Sequence, residues 1–367
     1  MLRGIAFLSR IAAALGDPVI LYPRPGMQEL MNFCQQFAAM LSAGISVLTG
    51  LEILQRQAGN PRLKKGIRSV AQHVEQGKSL AEALAREKEI FNPFFTSMVE
   101  AGETGGVLER TMQLLAVYFE KKKDLEQKLK TATAYPKFVF LIILGLIIFL
   151  LTFVLPAFAG IFAGMGIELP LPTRVLLSAG EGLRVYWHFL FTGGAVVYLV
   201  ICRLLKTDRG IYYRDFITLR IPLFGPLYRK VMVARFCRTL STMLGSGLGL
   251  LTALEQAKNV VNNRVFAERI DSVRESVVRG ESVAATLAAA NFFPLLVIGM
   301  ASVGEQSGRL EEMLARAADL FESEVNYIVE RLGSLLEPAL VIFLSLVVGG
   351  MVLSVFLPLF GVFELYL

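Results

Sequence analysis

The chain has 367 residues, a formal net charge of +6 and 54% hydrophobic residues. Its mean hydropathy of +0.56 is high for a soluble protein, whereas 19% charged residues is high for a protein buried entirely in a membrane. This composition argues against both classes and favours polar modules joined to membrane spans. The basic charge would suit nucleic acid, but no basic stripe with interleaved aromatic residues occurs, so we expect no nucleic-acid partner.

The N-terminal segment, residues 1–26, contains an apolar run at residues 5–15 that follows Arg3. Arg10 interrupts this run, and no small-x-small cleavage site follows it cleanly. The pattern therefore favours a short amphipathic helix over a signal peptide. We expect this helix to lie on a membrane or to dock on the polar module that follows.

Two copies of one pattern make up the rest of the chain. Residues 33–158 and 236–360 repeat each other with an offset of about 202 residues, and each copy starts as a polar block and ends in a long apolar run. The residues that return in order are Phe33, Gly44, Thr49, Ser79, Gly102 and Pro156, as Phe236, Gly247, Thr252, Ser282, Gly304 and Pro358. A soluble module joined to a membrane span has therefore been duplicated.

The polar modules, assigned to residues 27–135 and 232–335, have helical periodicity. In the first module the apolar positions i, i+4, i+7 and i+11 of one helix are Leu63, Ile67, Val70 and Val74. Ser79-x-x-Glu82 predicts a capping box that opens a short helix, and Asn92-Pro93 suits the start of the next. We predict about six helices in each module, almost no strand, and a separate core in each bundle.

Three runs without Asp, Glu, Lys or Arg predict three transmembrane helices. The runs cover residues 138–167, 185–202 and 338–363, and their lengths of 30, 18 and 26 residues bracket the roughly 20 that a helix needs to cross a bilayer. We assign the spans to residues 136–160, 185–203 and 336–362. The second is short, but Tyr186, Trp187 and Tyr198 near its ends suit the membrane interface.

Lys and Arg residues predict the orientation of these spans. They are concentrated at residues 121–137, before the first span, and at residues 203–220, in the connector 204–231 that follows the second. The loop 161–184 holds only Arg174 and Arg184, and the tail 363–367 holds no basic residue. The positive-inside rule then places the N-terminus, both modules and the connector in the cytoplasm, and the loop and the C-terminal tail on the outer side.

A proline stands where each module meets its span, at Pro136 and Pro338. Proline inside a helix removes one hydrogen bond and bends the helix. We expect a kink that sets how the bundle sits under the membrane. The alternative is a hinge through which movement of the bundle tilts the span.

An acidic glycine corner is the other repeated feature, and its residues are Gly102, Glu103, Gly106, Gly304, Glu305 and Gly308. Glycines can supply the positive φ of a helix–turn–helix corner, and a carboxylate near a helix N-terminus is favoured by the macrodipole. The functional alternative is a docking or self-association surface, with or without a bound cation.

The sequence contains no recognisable catalytic, cofactor-binding or metal-binding motif. The glycine corner lacks the lysine of a P-loop, and His73 and His188 cannot form a metal cluster with three scattered cysteines. Cys34 and Cys237 share a repeat position and are expected in the core. The spans lack the ionisable side chains that ion-coupled transporters need. We expect neither enzyme activity nor a cofactor, and keep an integral membrane transporter or membrane enzyme as the alternative.

The order of these motifs resembles the type II secretion system protein F family. The motifs are Phe33-x(8)-Ser42-x-Gly44 with its counterpart at Phe236, the two Gly-Glu corners, the proline-headed spans and the final Leu-Pro pairs. The resemblance covers residues 27–362. The family includes the inner-membrane platform proteins of type II secretion and of type IV pili.

The resemblance implies a non-enzymatic scaffold in the bacterial inner membrane, with the outer side being the periplasm. It implies a homo-oligomer that contacts membrane lipid, a hexameric assembly ATPase, pilins or pseudopilins, and other inner-membrane assembly components. Such a platform would pass the conformational work of the ATPase to subunits that are extracted from the bilayer into a fibre. The choice between a pilus, a competence pilus and a secretion pseudopilus stays open.

Overall fold

The computed structural model describes residues 23–164, 171–205, 207–222, 224–261 and 263–366. Within these ranges all regular secondary structure is helical, which confirms the all-α prediction. The amphipathic helix predicted for residues 1–26 falls almost entirely on residues 1–22, outside the described part of the chain, and stays a prediction.

Six helices follow one another through the first module and on into the first apolar run. They are α1 (Met27–Ser42), α2 (Val47–Gln57), α3 (Pro61–Glu75), α4 (Leu80–Arg86), α5 (Pro93–Thr104) and α6 (Leu108–Phe149). Asn92 Oδ1 accepts the N–H of Phe95 at 2.9 Å, ahead of Pro93 in the first turn of α5. The predicted helix start at Asn92-Pro93 is thus confirmed, because its side chain satisfies an N–H group that the helix leaves unpaired.

A π-helical turn (Leu150–Val154) follows α6, and α7 (Leu155–Gly164), α8 (Leu171–Leu204) and α9 (Asp208–Arg220) come next. Pro156 lies two residues after this turn and has no N–H group to donate to the carbonyl oxygen of Thr152. The Thr152 hydroxyl donates to the Ile148 carbonyl oxygen at 2.7 Å.

The second module repeats the helix order of the first. Its helices are α10 (Phe224–Gly245), α11 (Leu250–Val261), α12 (Arg264–Val278), α13 (Val283–Ala289), α14 (Leu295–Ser307) and α15 (Leu310–Tyr366). Six glycines in the described ranges have positive φ, and they form three equivalent pairs, namely Gly44 and Gly247, Gly77 and Gly280, and Gly106 and Gly308. Because glycine adopts this region without strain, the chain turns at the same three places in each copy.

The chain divides into two compact units, and both modules belong to the first. This unit contains the chain up to Glu126 together with Asp215–Val325. One continuous cluster of buried apolar side chains includes residues of both modules. The structure therefore differs from the prediction of a separate core in each bundle: the two copies share one core.

The second unit contains Gln127–Arg214 and the chain from Asn326 onwards. Two helical stretches in the described residues are long and apolar enough to cross a membrane, Leu108–Ile161 and Leu310–Ser354. The first stretch includes the first predicted span, residues 136–160, and the second includes most of the third, residues 336–362. The second predicted span lies in α8, whose apolar part is the shorter stretch Thr192–Leu204. A third membrane crossing therefore stays a prediction.

The segment predicted as a short loop, residues 161–184, is helical where the structure describes it. α8 begins at Leu171 and packs on the π turn so closely that a Cβ added to Gly180 would overlap the Leu151 carbonyl oxygen. Thr173 is buried, and its hydroxyl donates to the Ser354 carbonyl oxygen at 2.8 Å. Sequence periodicity did not reveal this because Pro170 and Pro172 are typical of loops.

Candidate functional site

The repeated glutamate of the first module closes the N-terminus of a short helix. α4 has seven residues, and the first turn of any α-helix leaves its N–H groups without partners inside the helix. Glu103, near the end of α5, accepts the N–H of Leu80 at 2.8 Å and that of Ala81 at 3.0 Å, one with each carboxylate oxygen. The Ser79 hydroxyl accepts the next N–H, from Glu82, at 3.1 Å. Two side chains thus satisfy three backbone donors.

The second module builds the same cap from equivalent residues. Glu305 accepts the N–H of Val283 at 3.0 Å and that of Ala284 at 3.3 Å. The Ser282 hydroxyl accepts the third N–H of α13 at 3.1 Å. Because a helix N-terminus also favours a negative charge, both glutamates stabilise their short helices in two ways.

The capping box predicted from Ser79-x-x-Glu82 is formed only in part. Ser79 caps the N–H of Glu82, but the carboxylate that completes the cap comes from Glu103, on another helix. Sequence reasoning placed the corner glutamate near the start of the helix that follows it. It missed this partner because the bonds join residues more than twenty positions apart in the chain.

The first glycine of each corner permits close contact between two helices. A Cβ added at Gly102 would overlap the Thr111 hydroxyl, and one added at Gly304 would lie 2.8 Å from the Cα of Leu310. Any larger residue would push α5 away from α6, or α14 away from α15. This spacing holds each glutamate within reach of the helix that it caps.

The turn itself needs one glycine, not two. Gly106 and Gly308 have φ values of 67° and 69°, in the left-handed region. The expectation that the glycines of this corner supply positive φ is wrong at Gly102 and Gly304, which lie inside α5 and α14, and at the neighbouring Gly105, which follows α5 with φ −83°. The second copy accordingly has Ser307 there.

The chemistry of the corner is that of hydrogen-bond acceptance by two carboxylates. Among the described residues, no group of three or more His, Cys, Asp or Glu side chains is arranged to hold a metal ion. Each of Glu103 and Glu305 already accepts two backbone N–H groups, so a docking partner would use the remaining lone pairs or replace these bonds. The predicted docking role stays a prediction.

The two modules meet inside the first unit, where α5 contacts α11. The hydroxyl of Ser246, directly after α10, lies 3.2 Å from Met98 Sδ of α5, at hydrogen-bonding distance. Leu114 Cδ1 of α6 lies 3.8 Å from the position that a Cβ of Gly245 would take. The small residues Gly245 and Ser246, at the end of α10 and directly after it, are thus in contact with the first module.

Tyr118 of α6 is buried at this boundary. It is 4% exposed, and its ring centroid lies 4.4 Å from that of Phe94. Burial raises the pKa of Tyr118 to about 12, against smaller opposing contributions from Thr239 and Arg235 of the second module. The phenol is therefore uncharged at neutral pH and acts as a packing residue.

An ion cluster beside Tyr118 also joins the modules. Lys121 Nζ of α6 lies 3.2 Å from Asp319 Oδ1 of α15, and Arg238 donates to Glu322 through Nε and Nη2, both at 2.9 Å. Burial opposes the charged form of Arg238, but its bonds to Glu322 and Asp319 outweigh this effect and raise its pKa. The bidentate pair fixes α10 against α15 within the second module, and Lys121 attaches α6 of the first module to α15.

Sequence reasoning did not find this boundary between the modules. A sequence difference between the two copies is the signal that could have indicated it. Tyr118 and Lys121 correspond to Leu320 and Ser323, whereas the buried Phe119 between them returns as Phe321. The two copies therefore match at the core position Phe119 and differ at the positions beside it, which indicates that this face of the module has different contacts in the two copies.

The two membrane-entry prolines lie inside continuous helices. Pro136 belongs to α6 and Pro338 to α15, and the helix continues beyond each of them. Neither proline ends its helix, so in each copy one continuous helix holds module residues and residues of the apolar run. The predicted kink and the alternative hinge stay predictions.

The sequence matches known proteins along most of its length. A family model described as "Type II secretion system (T2SS), protein F" matches residues 33–156 and residues 236–358. The type IV pilus assembly protein PilC of Myxococcus xanthus is 36% identical over 336 residues, which cover 91% of this chain and 80% of that protein. PilC of Thermus thermophilus is 38% identical, with 92% and 83% covered. The type II secretion system protein F of Xanthomonas campestris is 33% identical, with 90% and 82% covered.

Proposed function

This chain belongs to the type II secretion system protein F family, and we propose that it is the inner-membrane platform of a type IV pilus or type II secretion machine. The relatives carry the names of pilus assembly and secretion components, which are structural parts of such machines. The observation that carries the proposal is the duplicated helical module whose last helix continues into a charge-free apolar run.

In this function the platform couples a cytoplasmic hexameric ATPase to the extraction of pilins or pseudopilins. Both modules belong to one compact unit with a shared core, so a force on either module moves both. α6 and α15 each hold module residues and apolar residues in one helix. A helix transmits rotation and translation along its axis, and this supports mechanical coupling between the modules and the membrane.

The apolar runs suit a platform that handles apolar subunits. A charged side chain in the bilayer is costly, and residues 138–164 and 338–363 contain none. The apolar helix of a pilin can therefore lie beside these runs without desolvating a charge. Contacts with lipid, with other inner-membrane assembly components and with further copies of the chain complete the proposed set of partners.

The proposed topology has three spans, with both modules in the cytoplasm and the C-terminus in the periplasm. Reporter fusions after Gln127 and after Asp271 should report the cytoplasm. A fusion at Thr173 would disturb a buried hydrogen bond, so the periplasmic reporter belongs between Gly164 and Leu171. A cytoplasmic signal from that site would refute the three-span arrangement.

The platform function is tested by deleting the gene and imaging surface fibres while secreted proteins are assayed. Loss of fibres identifies a pilus machine, and loss of secreted proteins with fibres intact identifies a secretion machine. The wild-type gene must restore the lost property. A deletion strain with normal fibres and normal secretion would refute the proposal.

The acidic corner is proposed as a contact of the modules with the ATPase or with each other. The double variant Glu103→Lys, Glu305→Lys reverses two charges and should reduce co-purification of the ATPase with the full chain. The matched control is Ser79→Ala with Ser282→Ala, which weakens the same caps without changing charge. If both double variants reduce co-purification of the ATPase equally, the glutamates act only by capping their helices.

A further inference from the structure

The contact between the two modules joins different faces of the repeated unit. The first module contributes a surface that we call the front, formed by Phe94, Met98 and Tyr118 of α5 and α6. The second module contributes a surface that we call the back, formed by α10 and α11. Met98 contacts Ser246, and Tyr118 lines one cavity together with Arg235 and Val260. Each copy of the repeat has both surfaces, but the chain pairs only one front with one back.

The front of the second module is apolar and exposed. With the offset of 202 residues, Phe94 and Tyr118 correspond to Leu296 and Leu320. Phe94 and Tyr118 are 2% and 4% exposed, whereas Leu296 and Leu320 are 43% and 44% exposed. Val303, on the same side of α14 as Leu296, is 57% exposed. Exposed apolar side chains do not stabilise the folded module, and a group of them on one surface is typical of an interaction site.

The back of the first module is also open. With the offset of 203 residues that applies to the early helices, Arg235, Thr239 and Val260 correspond to Asn32, Gln36 and Gln57. These three residues are exposed, and they line one groove between α1 and the helices that follow it. The equivalent place in the second module is where Tyr118 is buried. The groove therefore lies where a front-surface side chain enters the other copy of the repeat.

We propose that the front of the second module binds the back of the first module in another copy of this chain. Leu320 would enter the groove lined by Asn32, Gln36 and Gln57, as Tyr118 enters beside Arg235 and Val260. The internal contact supplies the pattern for the contact between chains, because the same two surfaces of one repeated fold meet in both. This inference rests on the proposed function only in that the platform acts as a homo-oligomer.

The contact is head to tail, and this limits the kinds of assembly that it can form. Two different surfaces meet, so a pair of chains still has one free back, on one chain, and one free front, on the other, for further chains. Such a heterologous interface forms a closed ring where the rotation between neighbours closes, and an open array otherwise. Burial of the exposed leucine and valine side chains supplies the apolar driving force.

Directional cross-linking tests the contact in the full-length membrane protein. Two chains with different tags are co-expressed in a Cys202→Ser background, one with Leu320→Cys and the other with Gln36→Cys. The remaining thiols, Cys34 and Cys237, are fully buried. A short bismaleimide reagent should join the two differently tagged chains. Products between two Leu320→Cys chains only would show a symmetric front-to-front contact and overturn the proposal.

Val278→Cys is the matched control for Leu320→Cys, because Val278 is an exposed apolar residue of the second module that lies outside the front. It should give no product with Gln36→Cys, and a product equal to that of Leu320→Cys would overturn the proposal. Leu296→Glu, added to the Leu320→Cys chain, should reduce the mixed product about tenfold or more, because the contact would bury an unpaired carboxylate. An undiminished product would contradict the assignment of the front.

The N-terminal segment of the same chain is the other candidate to cover the front. If the mixed product is absent from the full chain and appears after deletion of residues 1–22, that segment blocks the front or the groove in the full chain and the proposal fails. Fibre assembly or secretion is measured for the same strains. A chain that supports assembly and gives no mixed product retains the platform function and refutes this interface.

Discussion

Removing the carboxylate of Glu103 should loosen α4 without unfolding the protein. Glu103→Ala leaves the N–H groups of Leu80 and Ala81 without their acceptor, while Ser79 still caps Glu82. A helix of seven residues has little stability of its own, so its first turn depends on the cap. The effect should therefore be concentrated in residues 80–86.

The magnitude follows from the two bonds that are lost. A hydrogen bond to a charged group contributes about 1.5–3 kcal/mol when buried, and an N-cap side chain about 0.5–2 kcal/mol. Glu103 is half-buried, so we expect a loss of about 2 kcal/mol, which is a roughly 30-fold change in the opening equilibrium of α4. Glu103→Gln keeps one acceptor oxygen and should lose about 1 kcal/mol.

Hydrogen exchange measured by mass spectrometry on the full chain in detergent provides the assay. Peptides that cover residues 80–86 should exchange roughly 30-fold faster in Glu103→Ala, and α1 should be unchanged. Glu305→Ala should have a smaller effect on α13, because Glu305 is more exposed and one of its bonds is 3.3 Å long. Glu100→Ala, an exposed glutamate of the same helix as Glu103, is the control. Unchanged exchange of α4 in Glu103→Ala would refute the capping role.

Three further predictions test the packing. Gly102→Ala forces a methyl group onto Thr111, so the free energy of unfolding should fall by about 1–3 kcal/mol, and an unchanged melting temperature would contradict the close contact. Cys34 and Cys237 should resist alkylation at pH 8 until the protein unfolds, because both are buried and burial raises the pKa of Cys237 to about 12. Labelling of either cysteine in the folded protein, detected by mass spectrometry, would contradict this prediction. Burial raises the pKa of Asp319, but Arg238 and Lys121 outweigh this and lower it below 3.8. The cluster should therefore stabilise the protein above pH 3.8 and lose this contribution as the pH falls further, and Asp319→Asn should remove this part of the acid titration.

The sequence was sufficient where the structure depends on neighbouring residues. The helix start at Asn92-Pro93 and the turns at Gly106 and Gly308 are set by local backbone chemistry, and both could be predicted from the sequence. The apolar runs that lie largely within the two long apolar helices could be predicted from composition and length alone. The family could be identified for the same reason, since its motifs are these local features in a fixed order.

Long-range contacts could not be predicted from the sequence. Nothing in the pattern around Glu103 shows that its carboxylate reaches α4, because the bonds depend on how α5 folds back beside that helix. The helix over residues 171–184 was missed because packing of Gly180 and Thr173 overrides the loop tendency of neighbouring prolines.

The sequence by itself determined the duplication, the helical class and the apolar runs, because repetition, period and hydropathy are properties of the chain. Only the tertiary structure decided that the two copies share one core and that Tyr118 is buried where Leu320 is exposed. The physical reason is that two copies of one fold carry the same pair of surfaces. Which front meets which back depends on the free energy of a contact between distant segments, and no local pattern encodes it.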